Sequence, residues 1–293
     1  MRLRQPFPNS IGLAGLVLAL AACAPGIRDY SSPQTTVAAT VGIPANATTG
    51  PVTLNVFAAA SLTDAFKEIG AAFAAEHAGV TPQFNFAGSQ QLVAQIHDGA
   101  AADVFASANK KQMDAAVTAS DVVSGTQRTF ARNRLVVVYP KDNPAGLQGL
   151  ADLGKPGTKV VLAAKAVPVG GYALEFLQKA SEHSDFTPAY SATVMANVVS
   201  FEDDVLGVLG KVAQGEADAG VVYSSDITGA NGAKVGTLDI PVDLNVLAAY
   251  PIAPVAHAQH AELARDFVDY VLSPAGQAVL VKHGFLPAGS SAR

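Results

Sequence analysis

The chain of 293 residues holds a single cysteine, Cys23. No intrachain disulfide can form, so an exported domain must be stable through its core. A membrane-spanning helix is missing too. The apolar run from Ile11 to Ala22 falls short of the ~20 residues that such a helix needs. Basic residues are sparse, 19 Lys and Arg against 24 Asp and Glu, and aromatic residues make up 7%. The absence of a basic patch and of interleaved aromatics argues against nucleic acid as a partner. No repeat recurs at a solenoid period. No G-x-S-x-G elbow surrounds Ser61 or Ser89, and no H-E-x-x-H occurs. Of the six histidines only His257 and His260 lie close together, and a metal would need a third ligand. The sequence therefore offers no catalytic constellation, no metal set and no cofactor motif.

What the chain does have begins with its first residues. Arg2 and Arg4 precede the apolar run, which ends at Leu20-Ala21-Ala22-Cys23, in the manner of a bacterial lipobox. Residues 1–22 read as a lipoprotein signal peptide, with Cys23 the lipidated residue. Removing that segment makes the formal net charge more negative than −5. Residues 23–50, rich in Ala, Thr, Ser, Pro and Gly without hydrophobic period, read as a flexible tether. The chain is thus expected outside the cell membrane, held to it by a lipid.

From residue 51 to about 289, strand-like and helix-like segments alternate. Val52–Phe57, Pro82–Phe86, Asp103–Ala106, Leu135–Tyr139, Lys159–Leu162, Ala219–Tyr223 and Val246–Tyr250 read as strands. Leu62–Glu76, Gln90–Asp98, Lys110–Thr118, Tyr172–Ala180, Val205–Ala213, Glu262–Leu272 and Ala275–Lys282 read as helices. Such alternation predicts α/β lobes with largely parallel sheets and a ligand at the carboxyl ends of the strands.

Several strand-to-helix junctions are rich in small residues and hydrogen-bond donors. Ala58-Ala59-Ala60-Ser61 opens one helix, with Ser61 and Asp64 spaced as a variant capping box. Ala87-Gly88-Ser89 opens the next. Val167-Pro168-Val169-Gly170-Gly171 is a third, and Glu202-Asp203-Asp204 precedes Val205 at a fourth, where the acids cap the helix. Tyr223-Ser224-Ser225 ends a strand with a phenol and two hydroxyls. A helix N-terminus offers unpaired N–H groups and partial positive charge, so these junctions together suit an oxyanion.

The stretches Val56–Asp64, Phe86–Ser89, Gly99–Ala108, Arg134–Pro140, Val167–Tyr172 and Val221–Asp226 resemble the molybdate-binding proteins of bacterial ABC importers. The resemblance covers residues 52–287. It implies a two-lobed periplasmic-binding-protein fold of type II with two hinge crossovers and the anion between the lobes. The lobes are then expected at 51–132 plus 250–289 and at 133–249, with crossings at Arg134–Tyr139 and near Tyr250–Val255. It also implies molybdate or tungstate as ligand, held by neutral donors: the hydroxyls of Ser61 and Ser89, the amides of Val169 and Val205, and the Tyr223 phenol. The implied protein is a monomer that is not an enzyme, needs no cofactor, and passes its anion to a permease driven by an ATPase. Two other readings stand beside this one, a binding protein for another oxyanion such as sulfate and a secreted lipoprotein hydrolase.

Overall fold

The computed structural model describes residues 50–230 and 232–291. The signal segment, Cys23 and the tether up to residue 49 lie outside the described residues. Down the chain run β1 (Val52–Ala59), α1 (Thr63–Glu76), β2 (Val80–Ala87), α2 (Ser89–His97), β3 (Val104–Ala106), α3 (Lys110–Thr118) and β4 (Arg128–Asn133). Next come β5 (Leu135–Pro140), β6 (Val160–Ala163), α4 (Pro168–Glu182), α5 (Tyr190–Ala196), β7 (Val198–Glu202), α6 (Val205–Ala213), β8 (Ala219–Tyr223) and β9 (Val235–Asp239). After them follow β10 (Ala248–Pro254), α7 (Ala261–Leu272), α8 (Pro274–Lys282) and the short β11 (Leu286–Pro287).

The strands form two sheets, one per lobe. The first has the order β11-β4-β10-β3-β1-β2 and the second β7-β6-β8-β5-β9. The first is covered on both faces, which the period-two alternation of β1 makes possible. Leu54, Val56 and Ala58 join the core that holds Phe66, Phe73 and Phe267 of α1 and α7. Phe57 joins a second cluster with Leu92 and Ile96 of α2 and Met113 of α3. In the second lobe α4 and α6 pack on β5, β6 and β8.

Both sheets are mixed, where the alternation of elements predicts largely parallel ones. The strand–helix–strand units do pair in parallel, as in β1 with β2 and β3, and β6 with β7 and β8. The strands near the crossings do not. β10 runs antiparallel to β3 and β4, and β5 runs antiparallel to β8 and β9. A strand inserted without a helical crossover has no need to run the same way as its neighbours.

The chain leaves the first sheet after Asn133, enters the second at Leu135, and returns between Asp239 and Ala248. The return therefore precedes Tyr250–Val255, the segment expected to make it. That segment pairs with β3 and β4 inside the first sheet because its apolar residues complete the first core. Asn245, on the returning segment, clips the two crossings together. Its Oδ1 accepts from Leu135 N at 3.0 Å and its Nδ2 donates to Leu135 O at 2.9 Å. The amide thus imitates a strand neighbour.

The first lobe owes much of its core to an aromatic cluster. Phe66 lies 5.8 Å from Phe130 and 6.0 Å from Phe267, ring centre to ring centre, and is fully buried. Phe66→Ala is expected to lower unfolding free energy by about 3–5 kcal/mol in urea titrations. Phe201→Ala, on the edge strand β7 where the ring is 54% exposed, is expected to stay within about 0.5 kcal/mol of the parent.

Candidate anion-binding site

Residues from four helix N-termini line one small cavity between the lobes. Ala60 and Ser61 sit in a 3-10 turn leading into α1, while Gly88 and Ser89 open α2. From the second lobe, Val167, Pro168 and Val169 open α4, and Asp204 and Val205 open α6. The first N–H groups of a helix have no partner within it, so the amides of Val169 and Val205 are available to a ligand. α4 starts at Pro168, a turn earlier than Tyr172. Proline suits the first helical position because its φ is preset and its missing N–H would be unpaired anyway. Gly170 is required in that turn, since a Cβ would stand 2.2 Å from the carbonyl oxygen of Ala164.

The five residues named from sequence, Ser61, Ser89, Val169, Val205 and Tyr223, all line this cavity. Ser61 is not the cap that its spacing with Asp64 suggests. Leu62 occupies the N-cap of α1, and the Ser61 hydroxyl instead lies 3.0 Å from the Tyr250 phenol. A 3-10 turn inserted before α1 carries the Ser61 side chain out of capping range. Ser89 is buried and its Oγ accepts from Ala108 N at 3.0 Å, which leaves its O–H free to donate elsewhere. Asp204 does cap α6, accepting from Gly207 N at 2.9 Å. The Tyr223 phenol oxygen is buried without any hydrogen-bond partner among the described residues. Its ring meets that of Tyr250 edge to face at 5.7 Å. A buried hydroxyl left unpaired costs about 1–3 kcal/mol, so this one calls for a partner. Burial, then the neighbouring Tyr250, pushes the Tyr223 phenol well above its usual range, so it stays a donor.

No Lys, Arg or His lines the cavity, and Asp204 is its one ionisable acid. The space is about 10 Å³. Pockets for organic ligands run to roughly 300–1,000 Å³, so this one excludes a ligand of that size. An adjoining crevice of about 190 Å³ is lined by Asp64 and Asp226. The lobes touch around the small cavity. Gln90 donates to Asp203 O at 3.0 Å and Gln112 to Ala166 O at 3.1 Å. Gly88 makes that approach possible, since a Cβ there would stand 2.5 Å from Asp203 O.

Residues 54–286 match the family model described as bacterial extracellular solute-binding protein. The chain belongs to that family. Among its relatives is the molybdate-binding protein ModA of Mycobacterium tuberculosis, 39% identical over 242 residues, which span 83% of this chain and 87% of the relative. ModA of Escherichia coli is 34% identical over 79% of this chain and 88% of its own length. Among solved structures, the substrate-binding domain of a putative molybdenum ABC transporter from Clostridium difficile is 28% identical. It aligns with a TM-score of 0.59 over 80% of this chain and 99% of that one. The periplasmic molybdate-binding protein of Azotobacter vinelandii, 20% identical, shares the fold with a TM-score of 0.68 over 80% of this chain and 98% of its own. The fold is therefore that of the two-lobed periplasmic binding proteins.

Three further residues near the cavity escaped the sequence reading. Tyr250 reaches Ser61 from β10, at a register shift between Tyr250 and Pro251 that breaks the regular ladder. Asn133, fully buried at the first crossing, bonds Ser224 and Ser225. Asp226 is buried behind Tyr223, accepting from its backbone N at 2.8 Å through Oδ2, while Oδ1 has no partner. The nearest available signal was the polar run Ser224-Ser225-Asp226 after a fully apolar strand.

Burial pushes the Asp226 carboxyl up to about 7, against the opposing Tyr223 amide and with help from Asp204 and Asp64. The folded state then holds a proton that the unfolded chain loses near pH 4, so stability falls as pH rises from about 4 to 7 and levels off above. Asp226→Asn removes that dependence. Urea unfolding at pH 8 is expected to show the variant more stable, by on the order of 4 kcal/mol, with a far smaller gap at pH 5.

Proposed function

We propose that this protein captures molybdate, and tungstate comparably, outside the cell membrane and delivers it to an ABC importer. The observation that carries the reading is a cation-free cleft lined by helix N-termini and hydroxyls, with the Tyr223 phenol buried at its wall. The ModA relatives, matched over most of their length, support it. Ser61, Ser89 and Tyr223 donate through hydroxyls, and Val169 and Val205 through backbone amides. A fully deprotonated dianion accepts at every oxygen, which is what such donors require. Molybdate differs from sulfate mainly in its longer bonds to oxygen, so cavity size selects between them. The protein acts by binding and carries out no reaction, and it works as a monomer.

Thermal unfolding with molybdate, tungstate, sulfate and phosphate tests this directly. A ligand at 100 times its Kd stabilises the fold by about 2.7 kcal/mol. Molybdate and tungstate are expected to raise Tm well beyond sulfate. An equal shift with sulfate removes the specificity, and no shift with any oxyanion removes the function. In calorimetry, Ser61→Ala and Tyr223→Phe are each expected to weaken molybdate by about one to two orders of magnitude. Val169→Ala is expected to change little, because its contact is a backbone N–H.

The exported protein is held at the membrane by a lipid on Cys23, with residues 24–50 as a tether. The support is the Leu20-Ala21-Ala22-Cys23 pattern behind Arg2, Arg4 and a short apolar run. Cys23→Ser should abolish membrane association, read by fractionation and by metabolic labelling with a fatty acid. Unchanged association of that variant rules the anchor out.

A further inference from the structure

We propose that Tyr250 and Asn133 are positioning residues, which hold the Ser61 hydroxyl as a hydrogen-bond donor facing the cavity; this rests on the oxyanion reading above. The orientation of the Asn133 amide follows from a donor that cannot reverse. Arg134 N, a backbone amide that can only donate, gives its hydrogen to Asn133 Oδ1 at 3.0 Å. Ser224 Oγ donates to the same oxygen at 2.9 Å. The Asn133 amide is therefore fixed with its nitrogen on the other side. There Nδ2 donates to Ser225 Oγ at 2.8 Å and to Tyr250 Oη at 3.4 Å. With one lone pair of its oxygen taken by that hydrogen, Tyr250 is assigned as the donor to Ser61 Oγ, 3.0 Å away. Ser61 then has its proton free for the cavity it lines.

The inner members of this relay are shielded from water. Asn133 and Tyr250 are fully buried, so no solvent molecule competes to turn either group round. Burial, then the nearby Asp226, pushes the Tyr250 phenol well above its usual range, so it remains protonated at any working pH. Without the relay the Ser61 hydroxyl would be free to rotate, and ordering it would fall to the anion. The relay also spans the hinge. Asn133 ends β4 at the crossing, Ser224 and Ser225 follow β8 in the second lobe, and Tyr250 and Ser61 belong to the first.

A double-mutant cycle on the full chain separates positioning from mere support, with molybdate affinity read by calorimetry and folding by circular dichroism. Tyr250→Phe is expected to raise the molybdate Kd about ten-fold in the parent and less than about two-fold in Ser61→Ala. Asn133→Ala gives the same test from the other end, with a rise of about three-fold that also vanishes in the Ser61→Ala background, and it serves if Tyr250→Phe fails to fold. Equal factors in both backgrounds overturn the proposal, since a packing role is blind to Ser61. No effect in the parent overturns it as well. A parent that binds no oxyanion overturns the functional reading and this inference together, whereas binding with additive losses overturns only the inference.

Discussion

An anion with two charges must be neutralised in a cavity that offers no cation, and the architecture follows from that. Partial charge at a helix end amounts to about half a unit, and it fades within one turn. One helix is too little, so several must converge, and a single parallel sheet cannot aim helices from opposing directions. Two sheets facing each other can. α1 with its leading turn and α2 come from one lobe, and α4 and α6 from the other. The strands end at the cleft because each delivers a helix N-terminus there.

Neutral donors also set the chemistry of the walls. Hydroxyls and amides must be dry to bind strongly, yet must not be left unpaired at great cost. The cavity manages this by giving most donors a partial role elsewhere. Ser89 accepts from Ala108, and Ser61 pairs with Tyr250. The Tyr223 phenol is fully buried and meets no partner within ordinary hydrogen-bond distance among the described residues, which makes it the most demanding side chain in the lining. Asp226 lies directly behind it and stays largely uncharged at moderate pH, so no carboxylate opposes the anion from that side.

Much of this was legible in the sequence, and the reasons differ from place to place. Helices such as Lys110–Thr118 and Val205–Ala213 carry strong periodicity and fall where it puts them. The strands β7 and β9, at the edges of the second sheet, were not legible. β7 exposes Val199 and Phe201, and β9 is polar at alternate positions, so neither resembles a buried strand. β4 escaped because Arg128, Arg132 and Asn133 interrupt its apolar residues, although Phe130 and Ala131 are buried. At the site, serines and a tyrosine at junctions have a chemical signature. Val169 and Val205 have none, because their part is a backbone N–H that nearly every residue owns. Resemblance nominated them, and the fold places them in the same lining. Tyr250 was hidden in a strand whose tyrosine reads as ordinary core.

Because Asn245 fastens the two crossings to each other, the lobes have one way to part. The two crossings form a single edge, placed like the spine between the covers of a book. β4 and β10 lie towards the spine in the first sheet, as β5 and β9 do in the second, while β2 and β7 are the fore-edges. Gln90, on the helix after β2, reaches Asp203, just after β7, so the catch sits where the covers separate most. A small rotation at the spine breaks that catch before it disturbs Tyr250 and Asn133 beside the hinge.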